Sequence, residues 1–408
     1  MTRDASWDAI VGVGFVLVYQ TAVIAAVQTA PVLAPFAAIG LGLDADKVGL
    51  FTAILFFSAL VSSTGTAGLV ARWGSFVGSA ASLGTVAIGA LALALAQGPL
   101  GLALGAILIG IGYGPVNPIG SRLLNRVAQG RRRNLIFSFK QSSVAIGGAI
   151  AGLVLPIVAL AISWRAAALV VMVLALLTAI CAIPTSRRLG QDGDPDASMR
   201  FALPLGAAYA LLEDPMQRGL AIAVFAFSMA QFGFMSVYVT MIWRETDVAP
   251  ETAAFMLSLT MVASIFGRLY WGWRADAGRP RQVLAWLAWS GAVALLLLLT
   301  LGPGWPWIAI AAISIGLGFG PMGWSGVLLA EVARAGEARA GSRGVLTATA
   351  GTMVFAYLGG FTGPALLSLS ALVFGSYLPG LLCLVAAFAT CAITVTSASK
   401  HLEKDPRP

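Results

Sequence analysis

This sequence predicts an all-helical integral membrane protein, with twelve transmembrane helices in two pseudo-symmetric six-helix bundles, and three observations predict it. First, 59% of the 408 residues are hydrophobic and only 10% charged, with a mean hydropathy of +0.89, whereas soluble domains carry about one quarter charged residues. Second, the apolar residues come in unbroken runs of about 20 or more, the length a helix needs to cross a bilayer. Third, the second half of the chain repeats the first at a nearly constant offset. Such a composition excludes a water-soluble enzyme and leaves little chain for an extramembrane domain.

Taken in order, runs bounded by charge or by Gly/Pro clusters fall at about 9–33, 47–70, 76–96, 99–124, 134–158 and 164–183. The start, MTRDASWDAI, leads into the first run without a small-residue cleavage pattern, so that helix is read as retained. The polar stretch TSRRLGQDGDPDASMR follows, and the runs resume at about 217–243, 252–273, 282–302, 306–331, 344–368 and 372–397. The expected domains are therefore an N-terminal bundle over 1–184, a central loop over 185–216 and a C-terminal bundle with a short tail over 217–408. Barrel strands alternate over roughly ten residues, so unbroken runs twice that length argue for helices.

Charge sets the orientation. Of the 25 Lys and Arg, Lys140 and Arg268 lie inside runs, and only Lys47, Arg165 and Arg244 follow odd-numbered helices. The clusters Arg131-Arg132-Arg133, Arg187-Arg188, Arg279/Arg281 and Arg334/Arg339/Arg343 then mark the cytoplasmic face, with both termini inside. The net charge of +8 is topology of this kind and implies no nucleic-acid partner. Cys181, Cys383 and Cys391 sit in apolar runs without CxxC or Cys/His spacing, which supports neither a disulfide framework nor a metal site. No nucleophile/base pair or phosphate loop is present: GIGYGPVNP lacks the Lys of a P-loop and lies within a helix. The expectation is a non-enzyme without cofactors, whose partners are the lipid bilayer and a small solute.

The repeat is specific. At an offset of 206, Gly110-Ile111-Gly112-Tyr113-Gly114-Pro115 in the fourth run matches Gly316-Leu317-Gly318-Phe319-Gly320-Pro321 in the tenth. At an offset of 204, Phe51, Gly68 and Gly74 match Phe255, Gly272 and Gly278. Two separate helices with almost the same offset argue for a duplicated six-helix unit. Gly112, Gly114, Pro115 and Pro118, with Gly316, Gly318, Gly320 and Pro321, weaken and bend matching helices, which suits gating; close helix contact through small residues is the alternative use. Gly147-Gly148, Gly152, Gly359-Gly360 and Gly363 suit tight packing at the seam between the halves.

Twelve helices in two parallel halves, a longer central loop and basic loops after the second and eighth helices resemble the major facilitator superfamily over essentially the whole chain. Its loop signature is visible as Gly272-Trp273-Arg274-Ala275-Asp276 followed by Gly278-Arg279-Pro280-Arg281. In the first half, Gly68-Leu69-Val70-Ala71-Arg72-Trp73-Gly74 carries no carboxylate. The resemblance implies that Asp276 helps latch an inner gate and that the counterpart latch, beside Arg72, is in doubt. More narrowly, Phe266-Gly267-Arg268-Leu269 with Gly272 and Asp276 looks like the eighth helix of the oxalate/formate antiporter and monocarboxylate porter branch, where an Arg faces the substrate carboxylate. That branch's Lys in the eleventh helix is missing; the fifth instead offers Phe139-Lys140-Gln141-Ser142.

Lys140 and Arg268 lie at nearly matched depths, about 7–9 Å from the midplane at 1.5 Å rise per residue. No Asp, Glu or His lies within any run: Asp276 and Glu331 are placed at cytoplasmic ends, Asp8 precedes the first helix and the single His401 is in the tail. A buried charge is expensive, so such cations usually face a wet cavity or await a ligand of opposite sign; snorkelling to the headgroups is the alternative. The resemblance implies that the fifth and eighth helices are neighbours, bringing both cations to one central cavity. Arg268 would then bind a carboxylate bidentately, with Lys140 as a point charge. It also implies that helices one, four, seven and ten line the cavity, which adds Gln20, Gln28, Tyr113, Asn117, Gln231, Tyr238 and Trp324 as candidates, with Gln141 and Tyr357 from helices five and eleven. Interhelical bonds that serve only packing are the competing use.

Together these readings predict a secondary transporter of a small organic anion, a mono- or dicarboxylate, working by alternating access through exchange or with a co-transported proton. Two alternatives stand beside it. One is efflux of a neutral or anionic lipophilic compound through an aromatic cavity of Phe232, Phe234, Tyr238, Phe319, Trp324 and Tyr357, and the other is a transport-silent scaffold. Short loops and Ala/Gly-rich spans suit a bacterial inner membrane, and the resemblance implies a monomer.

Overall fold

The computed structural model describes residues 3–127, 133–190, 192–197, 205–276 and 280–404. Twelve helical stretches among them are long and apolar enough to cross a membrane, and no strand occurs among the described residues. Their outward faces are apolar: Leu100 is 87% exposed, and Ile39, Ile162 and Val373 are exposed as well. In water such faces would be unstable, whereas lipid accepts them.

The chain divides into two compact units, 1–45 with 54–203 and 46–53 with 204–408. In the first unit, α1 (Arg3–Val27) and α2 (Thr29–Leu41) make the first span. The run was expected to end near 33, at its prolines. The helix instead breaks at Gln28, so Pro31 falls in the first turn of α2, where its missing N–H costs nothing, and α2 continues to a left-handed cap at Gly42 (φ +62°). Then come α3 (Val48–Trp73), α4 (Ser75–Ala94), α5 (Pro99–Tyr113) and α6 (Val116–Val127) as the two parts of the fourth span, α7 (Arg133–Ala161) and α8 (Trp164–Leu189).

The second unit opens with α9 (Leu205–Glu213), a short helix inside what the sequence predicts as loop. Its LGAAYALLE sequence is rich in helix formers, and Ala208 and Leu211 bury beside Gly351, where a Cβ would meet the Ala207 carbonyl at 2.6 Å. The unit continues with α10 (Pro215–Glu245), α11 (Pro250–Asp276), α12 (Pro280–Leu298), α13 (Trp307–Phe319), α14 (Trp324–Phe374) and α15 (Leu378–Lys404). α14 holds two spans joined at a kink, with Ala340 and Gly341 off helical geometry and Gly341 at φ +57°. The tenth span therefore runs on past Glu331 to Gly341. Glu331 is not at a run's end, as expected, but buried within the helix, where Arg334 (2.5 Å) and Arg281 (3.4 Å) neutralise it.

Packing repeats the sequence duplication. Spans one and five, three and six, and two and four pair in the first unit; seven and eleven, nine and twelve, and eight and ten pair in the second. Of the glycines expected at a seam between halves, Gly147, Gly359 and Gly363 pack closely on a neighbouring helix of their own unit. A Cβ on Gly147 would stand 2.7 Å from the Thr21 carbonyl, and one on Gly359 would stand 2.6 Å from that of Phe225. Residues 46–53 group with the second unit because buried Asp46 accepts hydrogen bonds from Arg244 and Tyr377 there.

Candidate functional site

In the first unit, α5 ends at Tyr113 and α6 starts at Val116, so the fourth span is interrupted at Gly114-Pro115. The glycines before the break let helices touch: Cβ atoms on Gly110 and Gly114 would collide with the Leu55 carbonyl and the Ser62 hydroxyl of α3, and one on Gly112 would stand 2.7 Å from the Ser82 carbonyl. Break and close contact, set out as alternatives in the sequence, occur together here.

Lys140, on α7, reaches the element that follows this break. Its ammonium donates to Asn117 Oδ1 at 3.3 Å and Ser121 Oγ at 3.4 Å, both on α6. The side chain is buried, at 5% exposure for the residue, and fits because Gly120 has no Cβ; one there would lie 2.9 Å from Lys140 Cε. No carboxylate among the described residues pairs with Lys140. Gln20 lies one turn from Val16, whose methyl also borders Gly120, and its Oε1 is buried with no partner among the described residues. Gln28 is buried at the break between α1 and α2, Gln141 lies beside Lys140 and Tyr113 packs edge-on against Phe56 (5.6 Å).

The second unit repeats the design with other residues. α13 stops at Phe319, and Pro321–Gly323 forms a 3-10 turn before α14. The interruption exposes carbonyls that α11 takes: Trp271 Nε1 donates to Phe319 O at 2.8 Å, and Arg268 Nε donates to Met322 O at 3.3 Å. A Cβ on Gly267 would collide with the Phe319 carbonyl, so that glycine lets α11 approach the break. Arg268 is buried at 9% exposure. Each unit thus holds one buried cation bonded to the segment just after its Gly-Pro interruption.

Elsewhere in this unit, two of the candidates bond each other. Trp324 Nε1 donates to Gln231 Oε1 at 2.7 Å, and its ring stacks on Phe227 at 5.5 Å. Tyr238 bonds the Ser314 hydroxyl and is fully buried. Tyr357 is buried at 4% exposure. A cleft of only about 20 Å³, room for a water, lies within this unit, lined by Phe227, Gln231, Phe234, Leu317, Met322 and Phe388 among others. Of the six aromatics expected to form a cavity, Phe234 lines this cleft, and Phe232, Tyr238, Phe319, Trp324 and Tyr357 are not among its lining residues.

Of the expected gate residues, Arg72 and Asp276 are exposed, and Gly278 and Arg279 lie outside the described residues, as do Arg131 and Arg132. Gly318 and Gly320 pack closely, on the Thr260 carbonyl and on Ser290 Oγ (2.9 Å), whereas Gly316 has open space. Sequence reasoning missed Asp46, Asp192 and the burial of Glu331. Asp192 accepts from Ser75 and Arg122, and it arrives from the polar central stretch, where no spacing marks it. Its carboxyl is raised by burial but lowered more by the Ser75 bonds and the Arg122 guanidinium, so the net shift is below the usual carboxylate range.

Compared with known proteins, residues 12–215, half of the chain, match the family model described as Major Facilitator Superfamily. A peptide transporter POT solved in complex with sulfate superposes with a TM-score of 0.73 at 14% identity, covering 96% of this chain and 94% of that one. A POT family transporter in complex with 5-aminolevulinic acid gives 0.78 at 13% identity, covering 96% of each. At these identities the likeness shows the fold alone. No curated protein matches in sequence.

Proposed function

Since the chain belongs to the major facilitator superfamily and is a multi-pass membrane transporter of that fold, we propose that its cargo is a small organic anion, a mono- or dicarboxylate. Transport is by alternating access, in exchange or with a co-transported proton. The observation that carries this reading is Lys140, a buried ammonium held by two long bonds to neutral oxygens, with no carboxylate among the described residues beside it. An ion in that setting is under-compensated, and an incoming anion relieves the cost. Buried Arg268 supports the same reading from the second unit, since a guanidinium suits a planar carboxylate. So does the likeness of Phe266-Gly267-Arg268-Leu269 to the oxalate/formate branch. Side-chain proton coupling is disfavoured, because the buried carboxylates Asp46 and Glu331 are already engaged by arginines.

The basic clusters support an orientation with both termini in the cytoplasm, the composition supports a bacterial inner membrane, and the family resemblance implies a monomer. A second reading, efflux of a lipophilic neutral or anionic compound, is favoured by the apolar cleft around Phe227, Phe234 and Phe388. Thermal unfolding of the purified protein against a panel of carboxylates, 5-aminolevulinate, a dipeptide and lipophilic compounds separates them, because a ligand that binds only the folded state raises the midpoint. The anion reading expects carboxylate shifts that vanish in Arg268→Ala. Shifts confined to lipophilic compounds transfer the assignment to efflux.

A further inference from the structure

α4 begins at Ser75, and the residue before it, Gly74, has no side chain with which to cap the exposed N–H groups of the first turn. Nor does the stretch 68–74 contain a carboxylate. The missing group comes from 117 positions along the chain: Asp192 Oδ1 accepts the Ser75 N–H at 2.6 Å, and Oδ2 accepts the Ser75 hydroxyl at 2.6 Å. The same Oδ2 accepts Arg122 Nε–H at 2.9 Å, and the Arg122 guanidinium also donates to the Asp192 carbonyl. The backbone follows, with Asp194 N–H bonded to the Ala71 carbonyl at 2.8 Å. Gly193 lies so close that a Cβ would stand 2.7 Å from the Arg72 carbonyl. The Asp192 side chain is only 6% exposed. Asp192 therefore ties the start of α4 to α6, and the backbone behind it, at Asp194, ties on the last turn of α3.

α6 follows α5 across the Gly114-Pro115 break in the helical hydrogen-bond ladder, where Pro115 lacks an N–H. Asn117 and Ser121, four residues apart and so on one face, bond the Lys140 ammonium. Arg122, one residue further and turned by about 100°, bonds Asp192. We propose that Asp192 is a positioning residue for the anion site: residues 192–194 form a strap whose carboxylate, through Arg122, fixes α6 and with it the two oxygens that seat Lys140. This rests on the reading of Lys140 as an anion-binding group, and the strap itself is testable without it.

Hydrogen–deuterium exchange on the full-length protein reads the strap directly. Asp192→Asn is expected to speed exchange of amides 116–124 about tenfold, the loss of one charge-assisted bond, while amides 220–240 stay unchanged. Arg122→Ala, removing the other end, is expected to do the same, and the double variant to add nothing. In the thermal assay with oxalate and succinate as probes, Asp192→Asn is expected to weaken the response by about tenfold in acid concentration. Unchanged exchange at 116–124 in both single variants overturns the strap. Faster exchange with an unaltered acid response overturns its link to Lys140. If neither acid shifts the wild type, the anion reading fails, and the exchange result still decides whether the strap holds α6.

Discussion

Replacing Lys140 by Met distinguishes a cation kept for a ligand from one kept for the fold. Its acceptors stand at 3.3 and 3.4 Å, beyond the usual range of about 2.7–3.2 Å for such bonds, and neither is charged. Burying an ion costs several kcal/mol even after relaxation, whereas a bond from a charged donor returns about 1.5–3 kcal/mol at normal length and less when as long as these two. Met keeps the unbranched stem beside Gly120 and removes the charge. The substitution is therefore expected to stabilise the ligand-free protein by about 1–3 kcal/mol, as when buried ions elsewhere are replaced by apolar residues of similar volume. At about 2–4 °C per kcal/mol for a unit of this size, the midpoint rises by about 2–12 °C. The assay is fluorescence-detected unfolding in detergent, with and without succinate. Lys140→Met is expected to melt higher and to ignore the acid. A lower midpoint with an intact acid response would refute the reasoning, because it would mean that Lys140 is a structural hydrogen-bond donor.

Three further outcomes follow from particular contacts. Gly120→Ala puts a Cβ 2.9 Å from Lys140 Cε and 3.3 Å from Nζ; a flexible side chain gives way there, so stability should change by less than about 1 kcal/mol while acid affinity drops about fivefold in the same assay. Gly318→Ala drives a Cβ onto the Thr260 backbone carbonyl, which cannot swing aside, and should cost about 1–3 kcal/mol; Gly316→Ala, with open space around it, should cost nothing, and paired melts compare them. Asp192 sets a pH window: its folded carboxyl lies below the usual range, so its stabilisation is full above the unfolded value of about 3.9 and is lost as pH falls through the folded value. The midpoint gap between wild type and Asp192→Asn should hold constant from about pH 7 to 5 and close below about pH 4.

What the sequence revealed was the part governed by short-range pattern. Run length and composition gave twelve spans, the offsets of 206 and 204 gave the duplication, and Gly114-Pro115 and Gly320-Pro321 marked the two interruptions. Lys140 and Arg268 stood out because charge is rare in apolar runs. Their partners did not, since bonds to Asn117, Ser121 and the Met322 carbonyl depend on where the interruptions leave free oxygens. Proline and charge misled in two places. α2 runs through Pro35 because Gln28 had already restarted the helix, and the tenth span runs past Glu331 because two arginines neutralise it. Asp192 was illegible for a third reason: a capping carboxylate supplied across 117 residues leaves no local pattern at either end.

The most direct measurement is uptake of radiolabelled oxalate and succinate into proteoliposomes containing wild type, Lys140→Met or Arg268→Ala, with and without the same acid trapped inside. Two carboxylate-binding cations predict flux in the wild type, speeded by internal acid if transport is exchange, and loss of that flux in both variants. Carboxylate flux that survives both substitutions, or flux only of uncharged lipophilic solutes, would contradict it.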